Sequence, residues 1–244
     1  MLSDRSLYRQ IAAKLAATED KRPVLDFIVT LYGHWTYDMV SERPAVVPVD
    51  PGRTELGQFA TAMHYKSIEL MDEIERLRRD DPSALILAFG DHLPNLGYNW
   101  GEYKNNGFFA GGWGDFGPEM YARSRATPLL VIDGEKGPLR LGQMPLYRLN
   151  QLVLDRLGLD VPNIGALVPP PENLTIRPVP DTVIGFDGAQ HPFLCKPQET
   201  GGVCGPVANW LEDVKLVARD IFDGDGHALA LLAGNRHAVT AGLP

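Results

Sequence analysis

The sequence predicts an α/β fold, a mostly parallel sheet flanked by helices, and three observations carry that prediction. VLDFIVTL at 24–31, ALILAF at 84–89 and PLLVID at 128–133 are nearly continuous apolar runs, the pattern of strands buried on both faces. Longer segments between and after them place apolar residues at helical spacing. Strands alternating with helices read as a parallel sheet, because each crossover supplies a helix to cover a face.

Taken in order, Leu7, Ile11 and Leu15 lie four residues apart and predict a short N-terminal helix that ends before TEDKRP and Pro23. The first apolar run follows, rich in Val and Ile. Ser41 to Arg53 is a Pro-rich loop. From Leu56 to Arg79, the residues Leu56, Phe59, Ala60, Met63, Leu70, Met71, Ile74 and Leu77 keep a helical period, with Asp72/Arg76 and Glu75/Arg79 as i,i+4 pairs on the wet side. Pro82 stops that helix and ALILAF supplies the second strand. Residues 97–126, crowded with Gly, Tyr, Trp and Asn, form a long irregular excursion of the kind that carries function. PLLVID is the third strand. A helix from about Met144 to Leu157 is closed by Gly158 and followed by Pro162. Val168 to Pro180 is a Pro-rich crossing, and a last helix carries Val207, Trp210, Leu211, Val214, Val217 and Ile221 on one face.

The 244 residues show neither an internal repeat nor a clear boundary, so 1–244 reads as one domain, with 1–23 as an N-terminal helical extension. A net charge of −8 without a Lys/Arg cluster argues against a partner that presents a nucleic-acid backbone. No window approaches the roughly 18 apolar residues of a membrane span, and the first 18 residues lack the apolar core of a signal peptide. Cys195 and Cys204, the only cysteines, suit either a local disulfide or two reduced thiols, and their spacing is a poor zinc pattern.

Two apolar runs end in similar polar clusters. FIVTLYGHWTYD places His34 just past the first, and LILAFGDHLP places Asp91 and His92 just past the second. Ligands of open parallel sheets bind beyond the carboxyl ends of the strands, so these three side chains are expected to converge. A carboxylate next to an imidazole suits zinc or manganese, and Gly90 lets the backbone turn sharply.

GDHLPNLG after a strand, the earlier GHWTYD, ATPLLVID and YRLNQLVLDRLGLDVP together resemble, in order, the C-terminal half of the sulfatase-like domain of the alkaline phosphatase superfamily. The similarity is to the lipoteichoic acid synthase and phosphoglycerol transferase branch and covers residues 24–225. The resemblance implies an alkaline-phosphatase-like fold, present in part. It also implies a metal-dependent transferase or hydrolase of phosphodiesters or, as the second choice, sulfate esters. Asp91 and His92 would ligate one divalent ion, zinc or manganese. His34 would act as the catalytic and substrate-binding donor to the phosphate of a lipid-headgroup-type substrate. The family's acidic ligand and nucleophilic Thr lie in an N-terminal half for which residues 1–23 are too short, and the His that often follows GDH is replaced here by PNLGYNWGEY. The implied location is the periplasmic or extracellular face of the cell envelope, with membrane contact only through a segment outside this sequence; a stand-alone fragment would be cytoplasmic. The competing expectation is a noncatalytic half-domain that associates with a partner chain or with itself, because a sheet cut before residue 24 exposes an edge and an apolar face.

Other residues carry simpler readings. His34 beside Trp35 and Tyr37 also fits a hydrogen-bonded strand-end histidine, and Asp91 with His92 also fits a turn. His64 belongs to the long helix, while His191, His227 and His237 sit in loops. Tyr98, Trp100, Tyr103 and Trp113 fit either a substrate cleft or a self-packed aromatic loop. Arg123 and Arg125 read as solvated, and Asp133-Gly134-Glu135 as a turn.

Overall fold

The computed structural model describes residues 3–230 apart from 20–21, 38–41, 49–51, 138, 160–163 and 197. In chain order the elements are α1 (Asp4–Ala16), α2 (Thr54–Asp80), β1 (Leu85–Phe89), α3 (Gly101–Asn105), α4 (Pro118–Ser124), β2 (Leu129–Asp133), α5 (Leu149–Leu157), α6 (Ile164–Leu167), β3 (Thr175–Val179), β4 (Thr182–Phe186), β5 (Pro192–Cys195) and α7 (Cys204–Phe222). The fold is mixed α/β. Its contacts divide it into two units, one formed by residues 1–115 with 127–137 and the other by 116–126 with 138–244. Among the described residues no helix is long and apolar enough to cross a membrane.

In the first unit, α1 starts where Ser3 Oγ accepts the Ser6 N–H, an N-cap that satisfies an otherwise orphan donor. Its most buried residues are Asp4 and Tyr8, not the Leu7/Ile11/Leu15 stripe. Helix α2 packs on it through Glu69, which accepts the Arg5 N–H at 3.1 Å, and through the Arg5–Asp72 ion pair at 2.6 Å. That contact draws Asp72 away from the expected partner Arg76, which pairs instead with Glu73 and Asp80.

β1 and β2 form a two-stranded sheet and pair antiparallel, with Leu85 opposite Asp133 and Phe89 opposite Leu129. The expectation of a mostly parallel sheet is therefore not met among the described residues, because a buried apolar run carries no record of the direction of its neighbour. A second correction concerns 24–31, which is not a strand. Val24, Leu25, Phe27, Val29 and Leu31 face solvent, with Leu25 91% and Phe27 77% exposed. Strand preference expresses fit to a pleated, partly buried surface, and no described strand offers residues 24–31 that surface.

The second unit holds a three-stranded antiparallel sheet in the order β3-β4-β5, with α7 packed on one face. Ile176, Val183, Val207 and Trp210 form its core, and the Trp210 indole donates to the Val168 carbonyl at 3.0 Å. A Cys195–Cys204 disulfide inside this core joins the end of β5 to the start of α7, which resolves the cysteine alternatives. On the other face Ile184 and Phe186 pack against Ala122 of α4. Strand β3 falls inside what the sequence presents as a Pro-rich crossing; Pro178 is tolerated because β3 is an edge strand. Helix α5 ends as expected at Gly158, whose φ of 68° is the left-handed cap, while Pro162 lies outside the described residues.

Candidate functional site

The site residues all belong to the first unit. Gly33 turns the chain with a φ of +80°, and a Cβ there would stand 2.7 Å from Met63 Cε, so only glycine fits without a shift. The His34 N–H donates to the Leu31 carbonyl at 3.1 Å and closes the turn that presents its imidazole. On the other side, the Gly90 N–H donates to Pro128 O at 3.2 Å and Thr127 Oγ1 donates to Gly90 O at 2.7 Å, which fastens the end of β1 just before Asp91 and His92.

The sequence predicts that these two loops meet, and they do. The rings of His34 and His92 stand edge to face with centroids 6.5 Å apart. His92 Nε2 lies 3.4 Å from Asp91 Oδ2, and the His92 N–H donates to Asp91 Oδ1 at 2.9 Å. Each imidazole is also tied to a main-chain carbonyl, His34 Nδ1 to Trp35 O and His92 Nδ1 to Leu93 O, both at 2.8 Å. A carbonyl only accepts, so both Nδ1 atoms carry the proton, and in the neutral ring the lone pair resides on Nε2.

This tautomer is the one in which an imidazole ligates through Nε2 with a second-shell carbonyl behind it. The 3.4 Å between His92 Nε2 and Asp91 Oδ2 also matches the edge of a tetrahedron with metal–ligand bonds of about 2.0–2.1 Å. The pair therefore fits a small divalent ion as two of its ligands. Among the described residues no three His, Cys, Asp or Glu side chains are grouped to hold one. The side chains of Asp91 and His92 are 85% and 62% exposed, so the site is open to solvent.

The supports around the site leave no local signal in the sequence. The Tyr37 hydroxyl donates to Asn95 O, and Glu55 accepts the Trp35 indole N–H at 3.0 Å and the Gly97 N–H at 2.6 Å, so one carboxylate at the start of α2 braces both loops. Glu55 stands out in no local pattern; only its proximity to both loops reveals the role.

The remaining candidates fall elsewhere. His64 is exposed on α2 with its ring against Tyr65. His191 faces Asp187 in the β4–β5 turn, and His227 faces Asp220 after α7. His237 lies outside the described residues. Tyr103 stacks on Phe109 with centroids 5.0 Å apart and meets Trp100 at 5.4 Å, so these aromatics pack on one another, whereas Tyr98 is 99% exposed. Arg123 and Arg125 are exposed in the second unit, with the Arg125 guanidinium 5.7 Å from the Tyr121 ring centroid. Asp133 Oδ1 accepts the N–H groups of Glu135 and Lys136, the expected turn.

Neither known protein-family models nor curated proteins give a match to this chain.

Proposed function

We propose that residues 24–225 correspond to the Asp-His half of a sulfatase-like domain with an alkaline-phosphatase-like fold, serving metal-dependent transfer or hydrolysis of a phosphodiester of the phosphoglycerol type. The observation that supports this reading is the meeting of the His34 and His92 rings, with Asp91 beside His92 and both imidazoles held with Nε2 as the lone-pair atom. A zinc or manganese ion bound there supplies charge neutralisation at the phosphate oxygens. Asp91 offers a carboxylate oxygen and His92 its Nε2, while Leu93 O keeps the ring oriented. His34, steadied by Trp35 O, offers its outer nitrogen to a substrate phosphate and, when protonated, donates to the charge that develops there.

Two protein ligands hold a metal weakly, since sites of this kind use three or four. On this reading an acidic ligand and a nucleophile beyond His34, Asp91 and His92 complete the site. The Cys195–Cys204 disulfide supports an oxidising location, the periplasmic or extracellular face of the cell envelope. Zinc and manganese uptake by purified protein is the test, comparing the parent with the Asp91→Ala/His92→Ala double variant. Uptake by the parent that the double variant loses is the expected result; equal uptake by both removes these residues from the site.

The exposed run at 24–31 favours a second reading, a noncatalytic half-domain that associates with a partner chain or with itself. Sedimentation in dilute solution distinguishes it: concentration-dependent association supports this reading, and a monomer that binds no apolar dye counts against it.

A further inference from the structure

We propose that Asp4 and Lys66 are positioning residues for His34, acting through the main chain of Tyr32; the inference rests on the reading of His34 as a site residue. Asp4 Oδ1 accepts the Tyr32 N–H at 3.3 Å. Lys66 Nζ donates to the Tyr32 carbonyl at 3.0 Å and lies 3.6 Å from Asp4 Oδ2. One ion pair, contributed by α1 and α2, thus grips both polar groups of a single peptide residue two positions before His34. The Tyr32 side chain is held as well: its ring is buried, and the Arg43 guanidinium lies 4.0 Å from its centroid. Arg43 in turn pairs with Glu69.

The arrangement is unusual for the residue types involved. An aspartate in the first turn of a helix ordinarily sits in water, where it complements the helix dipole. Here Asp4 is only 2% exposed, and its Oδ2 accepts no hydrogen bond, so the Lys66 charge is its compensation on that side. Burial raises the Asp4 carboxyl above its ordinary range, with the Lys66 charge and the Tyr32 N–H opposing the rise. Buried ion pairs contribute little net stability, and their better-attested role is to specify one conformation. The conformation specified here is that of Tyr32. Gly33 then turns the chain at a φ of +80°, and the turn from Leu31 to His34 is closed by its own hydrogen bond. The direction of the His34 ring follows from the clamp.

Nuclear magnetic resonance of the full chain tests this without any metal, so the outcome of the zinc experiment leaves it untouched. The variants are Lys66→Met, Asp4→Asn and, as a control elsewhere on α2, Arg76→Met, which breaks the pair with Glu73 but leaves Tyr32 alone. We expect Lys66→Met and Asp4→Asn to shift the His34 ring nitrogen signals away from the Nδ1–H tautomer. Amide exchange over residues 32–37 should quicken about tenfold, the loss of one hydrogen bond to a charged group. The Nδ1–H tautomer of His92 should be kept, Lys66→Arg should restore the parent pattern, and Arg76→Met should leave His34 unmoved. Unchanged His34 signals in folded Lys66→Met overturn the proposal, as does an equal shift in Arg76→Met. Should Asp4→Asn fail to fold, Lys66→Met with its Lys66→Arg rescue decides.

Discussion

The Tyr37 hydroxyl donates to the Asn95 carbonyl at 2.8 Å, so the loop that carries His34 and the loop that carries His92 share a hydrogen bond from a side chain only 4% exposed. Burial, reinforced by the Glu55 charge, raises the Tyr37 phenol and keeps it a donor across the ordinary pH range. Tyr37→Phe removes the donor while keeping the ring against Phe59. The expected cost is about 1 kcal/mol by denaturant titration, with a weakened ring-to-ring Overhauser signal between His34 and His92. An undiminished signal in the folded variant would show that the rings meet without this tie.

Gly134 admits no side chain. A Cβ there would lie 1.6 Å from the Pro82 carbonyl oxygen, a main-chain atom that moves only if the entry to β1 moves. Gly134→Ala is expected to destabilise the first unit by about 3 kcal/mol, at the upper end of ordinary overpacking. Gly137→Ala, with open space around it, supplies the comparison for the strain of a positive φ alone. Equal melting temperatures for the two variants would contradict the close approach.

The disulfide sits between β5 and α7, whose cysteines are nine residues apart in the sequence. Closing so short a loop in the unfolded chain stabilises by about 3 kcal/mol in the chain-entropy model. Reduction should therefore lower the unfolding midpoint of the second unit and spare the first. Thiol titration of denatured, unreduced protein is expected to find no free thiol; two free thiols would refute the bond.

Alkaline titration should separate the tyrosines. Burial pushes Tyr8 and Tyr103 up to about 12, with nearby Asp4, Glu73 and Glu69 adding to Tyr8 and Tyr37 adding to Tyr103, against an ordinary value of 10.0. A folded value above the unfolded one means that the folded chain holds the proton more tightly. The associated stability is complete below pH 10 and is lost as pH rises towards 12. Phenolate absorbance of the folded protein should lag that of the denatured protein over this window. Tyr8→Phe should flatten the loss of stability, and an unchanged slope would remove Tyr8 from the account.

Much of the local structure was legible in the chain. The 3.6-residue period over Leu56–Arg79 marked α2, Pro82 marked its end, the apolar runs at 84–89 and 128–133 marked β1 and β2, and Gly158 marked the end of α5. Such signals are local, set by propensity, periodicity and caps within a few residues. His34, Asp91 and His92 are legible on the same ground, as polar residues just after apolar runs, and the first unit brings the loops of His34 and His92 together. What the chain could not announce depends on which neighbour each segment finds. An apolar run reads alike whether its partner runs parallel or antiparallel, and β1 and β2 are antiparallel. VLDFIVTL has strand composition but no described strand beside it, and β3 hides in a Pro-rich stretch because an edge position forgives Pro178. Glu55, Asp4 and Lys66 look like ordinary charged residues of helices. Only the packing of α1, α2 and the two loops turns them into braces, because a hydrogen bond between distant residues is a property of tertiary geometry and leaves no periodic trace in the sequence.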